Sequence, residues 1–138
     1  AELIGPQQVE WFVSHFWGTP FKDFVHALTC HAKSLVRQSA SSGSSDASHW
    51  HGTSYWVCSM SNNQWNLEEE IGGSWEKSSF FLALRSPTCL GTAMVLDNEA
   101  LPLTRVWCLF ELLQTRLLRR DDSRLCFCTS SGVLQEGR

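Results

Sequence analysis

Residues 106–115 form an apolar, helix-forming run that contains a single charged side chain, Glu111. Trp107 precedes Glu111 by four positions, so the indole and the carboxylate lie on one face of the predicted helix, one turn apart. A carboxylate beside an indole in an apolar stretch is poorly solvated, and poor solvation raises its pKa. Such groups occur in active sites more often than by chance, which makes Glu111 the first catalytic candidate. The alternative is a surface glutamate, or one paired with Arg105 or Arg116.

Composition limits the classes of function. The chain has 138 residues, of which 43% are hydrophobic, and a formal net charge of −3. These values predict one domain with a hydrophobic core and no basic surface for nucleic acid or anionic membrane. No apolar stretch approaches the roughly 20 residues that span a bilayer, and no signal peptide is visible. Four of the six cysteines fall in predicted helices or strands, where free thiols are common, which favours a reduced, cytoplasmic protein.

Hydrophobic periodicity predicts alternating strands and helices. Residues 11–14 predict a strand, and Thr19 is the expected cap of the next helix, with Pro20 at its first position. Apolar residues then recur at helical spacing as far as Val36. The Ser-rich residues 38–49 predict a flexible surface loop.

The rest of the chain continues this alternation. It predicts strands at residues 55–60, 91–97 and 125–128, helices at 79–85 and 107–120, and a polar tail without pattern at 129–138. We therefore expect a single α/β domain over residues 1–138, with its core at about 11–128. The expected architecture is three-layered and flavodoxin-like, with a parallel sheet in which the first and third strands are neighbours.

Ligands of such sheets bind beyond the carboxyl ends of the strands, at the point where the strand order reverses. Three separate segments fall there: residues 14–18, residues 97–99 and the start of the helix that carries Trp107. The sequence therefore predicts one crevice that gathers these segments around Glu111.

Two blocks resemble the Toll/interleukin-1 receptor/resistance (TIR) domain. Residues 104–112, Thr-Arg-Val-Trp-Cys-Leu-Phe-Glu-Leu, resemble its Trp-Cys-Leu-x-Glu-Leu helix motif, and residues 12–18 resemble the opening block of plant-type TIR domains. The chain also resembles uncharacterised protist and algal proteins that share Ser-His-x-Trp-Gly, Tyr-Trp-x-Cys and Asn-Asn-Gln blocks. The resemblance spans about residues 11–128.

The resemblance implies that Glu111 is catalytic in NAD glycohydrolysis, with Trp107 as its partner in the motif. It makes NAD a substrate rather than a cofactor and predicts no metal. It also implies stress or immune-type signalling and dependence on self-association or on other TIR-like domains, with the loop after the second strand reaching a neighbour's crevice. NAD cleavage passes through an oxocarbenium-like state that a lone carboxylate stabilises, which suits Glu111.

The remaining site candidates lie in the loops around Glu111, and each has a structural alternative. Ser14 is a candidate for binding a phosphate or ribose hydroxyl, or it bonds its own turn. Trp17, beside Gly18, stacks on a base or nicotinamide, or it packs under the loop. His15 is a candidate general base or a hydrogen-bonded structural histidine. Asp97 holds a ribose hydroxyl or caps a turn.

The chain also departs from the family pattern. Plant TIR domains usually place Phe-Arg-Gly after the serine of the first strand, whereas residues 15–18 here are His-Phe-Trp-Gly, without the arginine. A fifth strand and a last helix are not evident. We therefore keep two expectations, an NAD glycohydrolase or cyclase and a non-catalytic TIR-like interaction module.

Overall fold

The computed structural model describes residues 7–41, 49–62, 65, 73–118 and 124–134. In these residues the strands are β1 (Trp11–His15), β2 (Tyr55–Val57), β3 (Gly91–Val95), β4 (Arg124–Thr129) and β5 (Gly132–Leu134). The α-helices are α1 (Phe21–Ser41), α2 (Cys58–Ser61), α3 (Ser79–Leu84) and α4 (Val106–Leu117). Short 3₁₀ turns occupy His49–Gly52, Trp75–Lys77 and Leu101–Thr104.

The strands form one sheet in the order β2-β1-β3-β4-β5. The pairs β1–β2, β1–β3 and β3–β4 are parallel, and β4–β5 is antiparallel. The predicted α/β class is confirmed, and so is the prediction that the first and third strands are neighbours. The carboxyl ends of the four parallel strands therefore lie at one edge of the sheet.

Helices cover both faces of the sheet, and the alternation of side chains along β1 explains how. Trp11 and Val13 pack with Phe24 and Ala27 of α1 on one face, whereas Phe12 packs with α3 on the other. α4 contacts β1 and β3. All five residues of β3 are buried, as expected for an inner parallel strand with both faces covered.

The predicted strands and helices are found, but several boundaries differ; β3, for example, ends at Val95 rather than at residue 97. α1 continues to Ser41, inside the predicted loop at residues 38–49, and residues 42–48 lie outside the described ranges. The predicted strand at 55–60 ends at Val57, where the backbone turns into α2 and the Val57 N–H donates to Ser61 Oγ at 3.1 Å. α4 ends at Leu117 rather than near residue 120, and residues 119–120 lie outside the described ranges.

Two further predictions were wrong. Thr19 does not cap α1, because the Phe24 N–H donates to the carbonyl of Pro20, and the buried Thr19 Oγ1 has no hydrogen-bond partner among the described residues. Within the tail, predicted to lack pattern, residues 132–134 form β5, and residues 135–138 lie outside the described ranges. Its turn needs Gly132, whose φ of 149° few other residues adopt.

No α-helix in the described ranges is both long and apolar enough to span a membrane. All six cysteines lie in the described ranges as reduced thiols, and four of them are buried. Among the described residues, no disulfide therefore links the helices to the sheet.

Candidate functional site

Glu111 and Ser14 meet beside the carboxyl end of β1. Ser14 is the fourth residue of that strand and is fully buried, and its Oγ donates to Glu111 Oε2 at 2.5 Å. Glu111 is only 3% exposed, so it is not the surface glutamate that the sequence left open. The carboxylate bonds to Ser14, and Arg105 and Arg116 are both exposed, so neither arginine is its partner.

Burial controls the charge of Glu111. Loss of solvation raises the pKa of its carboxyl from 4.5 to about 7, while hydrogen bonds from the side chains of Ser14 and Trp107 lower it. Desolvation dominates because two donors do not replace the water that an ionised carboxylate would hold. Glu111 therefore exchanges its proton close to neutral pH.

Trp107 links Glu111 to a cluster of aromatic rings. Its ring lies 4.7 Å from that of Phe80 in an edge-on arrangement and 5.8 Å from that of Phe110 in a stacked one, measured between centroids. Trp107 is nevertheless 55% exposed. The indole therefore packs on one side, lies beside Glu111 and leaves its other side to solvent.

Two thiols complete the surroundings of the carboxylate. Cys108 Sγ donates to the carbonyl of His15 at 3.6 Å. Burial raises the pKa values of the Cys58 and Cys108 thiols, and the charge of Glu111 raises both further. Protonated thiols are poor nucleophiles, so this arrangement does not support cysteine-based hydrolysis.

The loop after β1 folds over the Phe16 ring. A Cβ at Gly18 would lie 2.3 Å from that ring, so a larger residue there would have to displace the Phe16 side chain. The Arg105 guanidinium carbon lies 5.3 Å from the Phe16 centroid, a cation–π contact that joins this loop to the start of α4. Trp17 is 70% exposed and does not pack under the loop, and its side chain lies near Cys58, whose pKa it lowers.

His15 and Asp97 have structural partners. The His15 ring lies 4.8 Å from that of Phe24, on the α1 face and opposite Ser14, and burial lowers its pKa. Asp97 Oδ1 accepts from the Leu101 N–H at 2.8 Å and so caps the 3₁₀ turn that precedes α4. Of the predicted site residues, the structure brings Ser14 and Trp107 into contact with Glu111 and leaves His15 and Asp97 outside that contact.

A cavity of about 340 Å³ lies beyond the carboxyl end of β3, beside the start of α1. Asp97 lines it together with Asp23 and Glu99, and so does Thr19, whose hydroxyl has no partner among the described residues. Three carboxylates make this cavity unfavourable for a phosphate. A second cavity, of about 320 Å³, lies at the opposite end of β3 beside Gly91. Glu111 lines neither of them.

Sequence reasoning missed Cys58 as a neighbour of Glu111. The pairing of β1 with β2 indicates this neighbour, because Val13 lies opposite Val57. The next residues are Ser14 and Cys58, so both follow the same pair at one edge of the sheet. Among the described residues, no group of three or more His, Cys, Asp or Glu side chains is placed to hold a metal ion.

Comparison with protein-family models, with curated protein sequences and with solved structures gives no match. The likeness to TIR domains therefore rests on residues 12–18 and 104–112. Both blocks contribute to the contact between Ser14 and Glu111.

Proposed function

We propose that this chain is a TIR-like domain with a flavodoxin-like sheet that cleaves the nicotinamide–ribose bond of NAD⁺. It would act as a glycohydrolase or cyclase in cytoplasmic stress or immune-type signalling. The observation that supports this proposal most is the buried pair of Glu111 and Ser14. The pair lies at the edge where the strand order reverses between β1 and β3, the usual ligand position in such sheets.

The chemistry of NAD⁺ cleavage suits one carboxylate. Nicotinamide leaves with the electron pair of its bond to the ribose, and because the pyridinium is cationic it leaves neutral, without a general acid. The ribose then carries oxocarbenium charge, which an ionised Glu111 stabilises until water or an internal hydroxyl attacks. A desolvated carboxylate is effective in this role because little water screens its charge.

The neighbours of Glu111 have supporting roles in this proposal. Ser14 donates to the carboxylate and Trp107 lies beside it, so in this proposal both are positioning residues that fix its direction. Trp17, with most of its ring in solvent, offers a stacking surface to nicotinamide or adenine. The loop of residues 15–18 lacks the arginine of plant TIR domains. In this proposal the guanidinium of Arg105, which contacts the Phe16 ring, supplies the positive charge beside the loop.

Access to Glu111 requires movement, since its side chain is 3% exposed. Ser14 of β1 and Trp107 are the neighbours of the carboxylate, and Trp107 already has a solvent-facing side. Movement of the Trp107 side chain towards solvent would give access to Glu111 without disturbing the sheet. Such gating movements commonly admit substrate and then exclude water.

The alternative is a non-catalytic TIR-like module that assembles with copies of itself or with other TIR-like domains. Two observations favour it: Glu111 lines neither cavity described above, and α4 carries an apolar outer surface. In this alternative, the Glu111–Ser14 hydrogen bond fixes α4 to the sheet.

Nicotinamide release from NAD⁺ separates the two candidates. The assay uses purified protein at high concentration with a crowding agent, and compares the wild type with Glu111→Gln and with Glu99→Gln, an exposed carboxylate at the same edge. The proposal expects release that Glu111→Gln lowers by about 100-fold or more and that Glu99→Gln retains. No release by the wild type, or equal release by Glu111→Gln, contradicts the enzymatic proposal.

A further inference from the structure

Gln114 is a polar side chain on the buried side of α4. It is 7% exposed, and no hydrogen bond joins its side-chain amide to a described residue. Among the described residues, the unpaired polar atoms that are fully sealed from solvent are Thr19 Oγ1 and His31 Nε2, so the Gln114 amide keeps a small accessible surface. Phe110 and Leu118, one turn away on either side, pack against the apolar cluster of α3. An unpaired amide beside apolar side chains needs an explanation beyond packing.

Gln114 continues the row that Trp107 and Glu111 form on α4. The spacings of four and three residues place the three side chains on one face of the helix. Long side chains in a helix lean toward its N-terminus, which directs the Gln114 amide toward the turn that carries Glu111. The row therefore combines an indole, a carboxylate and an amide on successive turns.

Contacts with the sheet give the order of this row. The first turn of α4 lies at the carboxyl edge of the sheet, where Cys108 Sγ donates to the carbonyl of His15. The third turn lies deeper, where Thr115 Oγ1 is 2.7 Å from Oγ1 of Thr92, the second residue of β3. The indole is therefore nearest the edge, the carboxylate lies one turn further in, and the amide is deepest.

This order matches the nicotinamide–ribose unit of NAD⁺. With the ribose beside Glu111, the pyridinium ring lies further in and its carboxamide extends by about one helical turn, which is the step from Glu111 to Gln114. Phe80 and Phe110, with ring centroids 6.2 Å apart, provide aromatic surface for a cationic ring. Two amides pair through two hydrogen bonds, because each offers an N–H and an oxygen. The movement of Trp107 that gives access to Glu111 opens the same row.

We propose that Gln114 determines the specificity of the site by pairing with the carboxamide of the substrate's pyridinium ring. The substrate class is then an N-ribosyl pyridine-3-carboxamide, and the corresponding carboxylate is rejected. This inference rests on the proposed function, because it takes Glu111 as the group beside the ribose. A ring carboxylate would accept one hydrogen bond from the Gln114 amide and hold its second oxygen against the amide oxygen. Its charge would also lie near that of Glu111, and like charges repel strongly where solvent is excluded.

Kinetics with NAD⁺ and with its nicotinic acid analogue, which carries a carboxylate in place of the carboxamide, test the proposal. The assay compares the wild type with Gln114→Met and with the matched control Gln7→Met, which makes the same change at an exposed position before β1. We expect the wild type to favour NAD⁺ by about 100-fold or more in kcat/KM. Gln114→Met should lower kcat/KM for NAD⁺ by about tenfold or more and change that for the analogue by less than about threefold. Gln7→Met should match the wild type.

A merely structural role of Gln114 would lower kcat/KM equally for both substrates. Such an equal loss, or a wild type that does not distinguish the two substrates, would overturn the proposal. Thermal unfolding shows whether Gln114→Met folds. We expect little change in its melting temperature, because methionine has a similar volume and the amide bonds to no described residue. If Gln114→Met does not fold, Gln114→Leu takes its place.

A binding measurement separates this proposal from the enzymatic one. Saturation-transfer NMR compares nicotinamide with nicotinate on the wild type and on Gln114→Met. We expect nicotinamide but not nicotinate to bind the wild type, and Gln114→Met to raise the dissociation constant of nicotinamide by about tenfold or more. This result without cleavage of NAD⁺ would refute the enzymatic proposal and retain the carboxamide site. Equal binding of the two compounds, or no binding of nicotinamide, would refute the role of Gln114.

Discussion

Replacing Glu111 with glutamine should stabilise the protein at alkaline pH and leave its stability nearly unchanged in mild acid. The native state holds the Glu111 proton up to about pH 7, whereas the unfolded chain releases it near 4.5. Between these values the native state binds more protons, so the wild type loses stability as the pH rises. The difference in pKa corresponds to about 3 kcal/mol, all of it lost above about pH 8. Glutamine removes this loss and retains an oxygen that accepts from Ser14.

Urea unfolding followed by tryptophan fluorescence, at about pH 4.5 and about pH 8.5, measures the effect for both proteins. The other titrating groups are common to both, so the difference in unfolding free energy isolates Glu111. We expect this difference to grow by about 2–3 kcal/mol in favour of Glu111→Gln between the two conditions. Glu99→Gln provides the effect of removing an exposed carboxylate. A difference that stays constant within about 0.5 kcal/mol refutes the claim that Glu111 is buried and uncharged in mild acid.

Two further outcomes follow from close packing and from burial. Gly91→Ala should destabilise the fold by about 2 kcal/mol or more, because the new Cβ would lie 2.1 Å from the Arg124 carbonyl oxygen. Thermal unfolding compares it with the control Gly52→Ala, where the new Cβ would have nothing within 4 Å. Equal melting temperatures of the two variants would contradict the close approach of β3 and β4 at Gly91. Burial lowers the pKa of His31 to about 4, so the NMR resonances of its ring should titrate near pH 4. The free energy of unfolding should fall by about 3 kcal/mol as the pH drops from 6.5 to about 4, because the unfolded chain binds the proton more tightly. Titration near pH 6.5 would instead show a solvated ring and contradict its burial.

The sequence contained enough information to place Ser14 and Glu111 in one crevice, but not to predict the hydrogen bond between them. Alternation of strands and helices places the carboxyl ends of parallel strands at one edge, and the 3.6-residue period places Glu111 one turn from Trp107. Because both rules depend on backbone geometry alone, they predicted the order of β2, β1 and β3 and the segments around the site.

Tertiary contacts decided what the sequence could not predict. Residues 58–60 have the composition of a strand, yet the chain turns after Val57 because the Ser61 hydroxyl accepts from its backbone N–H. β5 has three residues and depends on pairing with β4, which no local pattern reveals. Whether Asp97 holds a ligand or caps a turn was open for the same reason, and its bond to the Leu101 N–H favours the cap.

The pH dependence of nicotinamide release tests the central proposal most directly, because it joins the structure of Glu111 to its proposed role. The carboxylate must be ionised to stabilise the oxocarbenium charge, and its pKa is about 7. We predict that kcat/KM rises with pH through a midpoint near 7 and reaches a plateau above about pH 8. A rate independent of pH from about 5 to about 9, or no release at any pH, would contradict the assignment of Glu111 as the catalytic carboxylate.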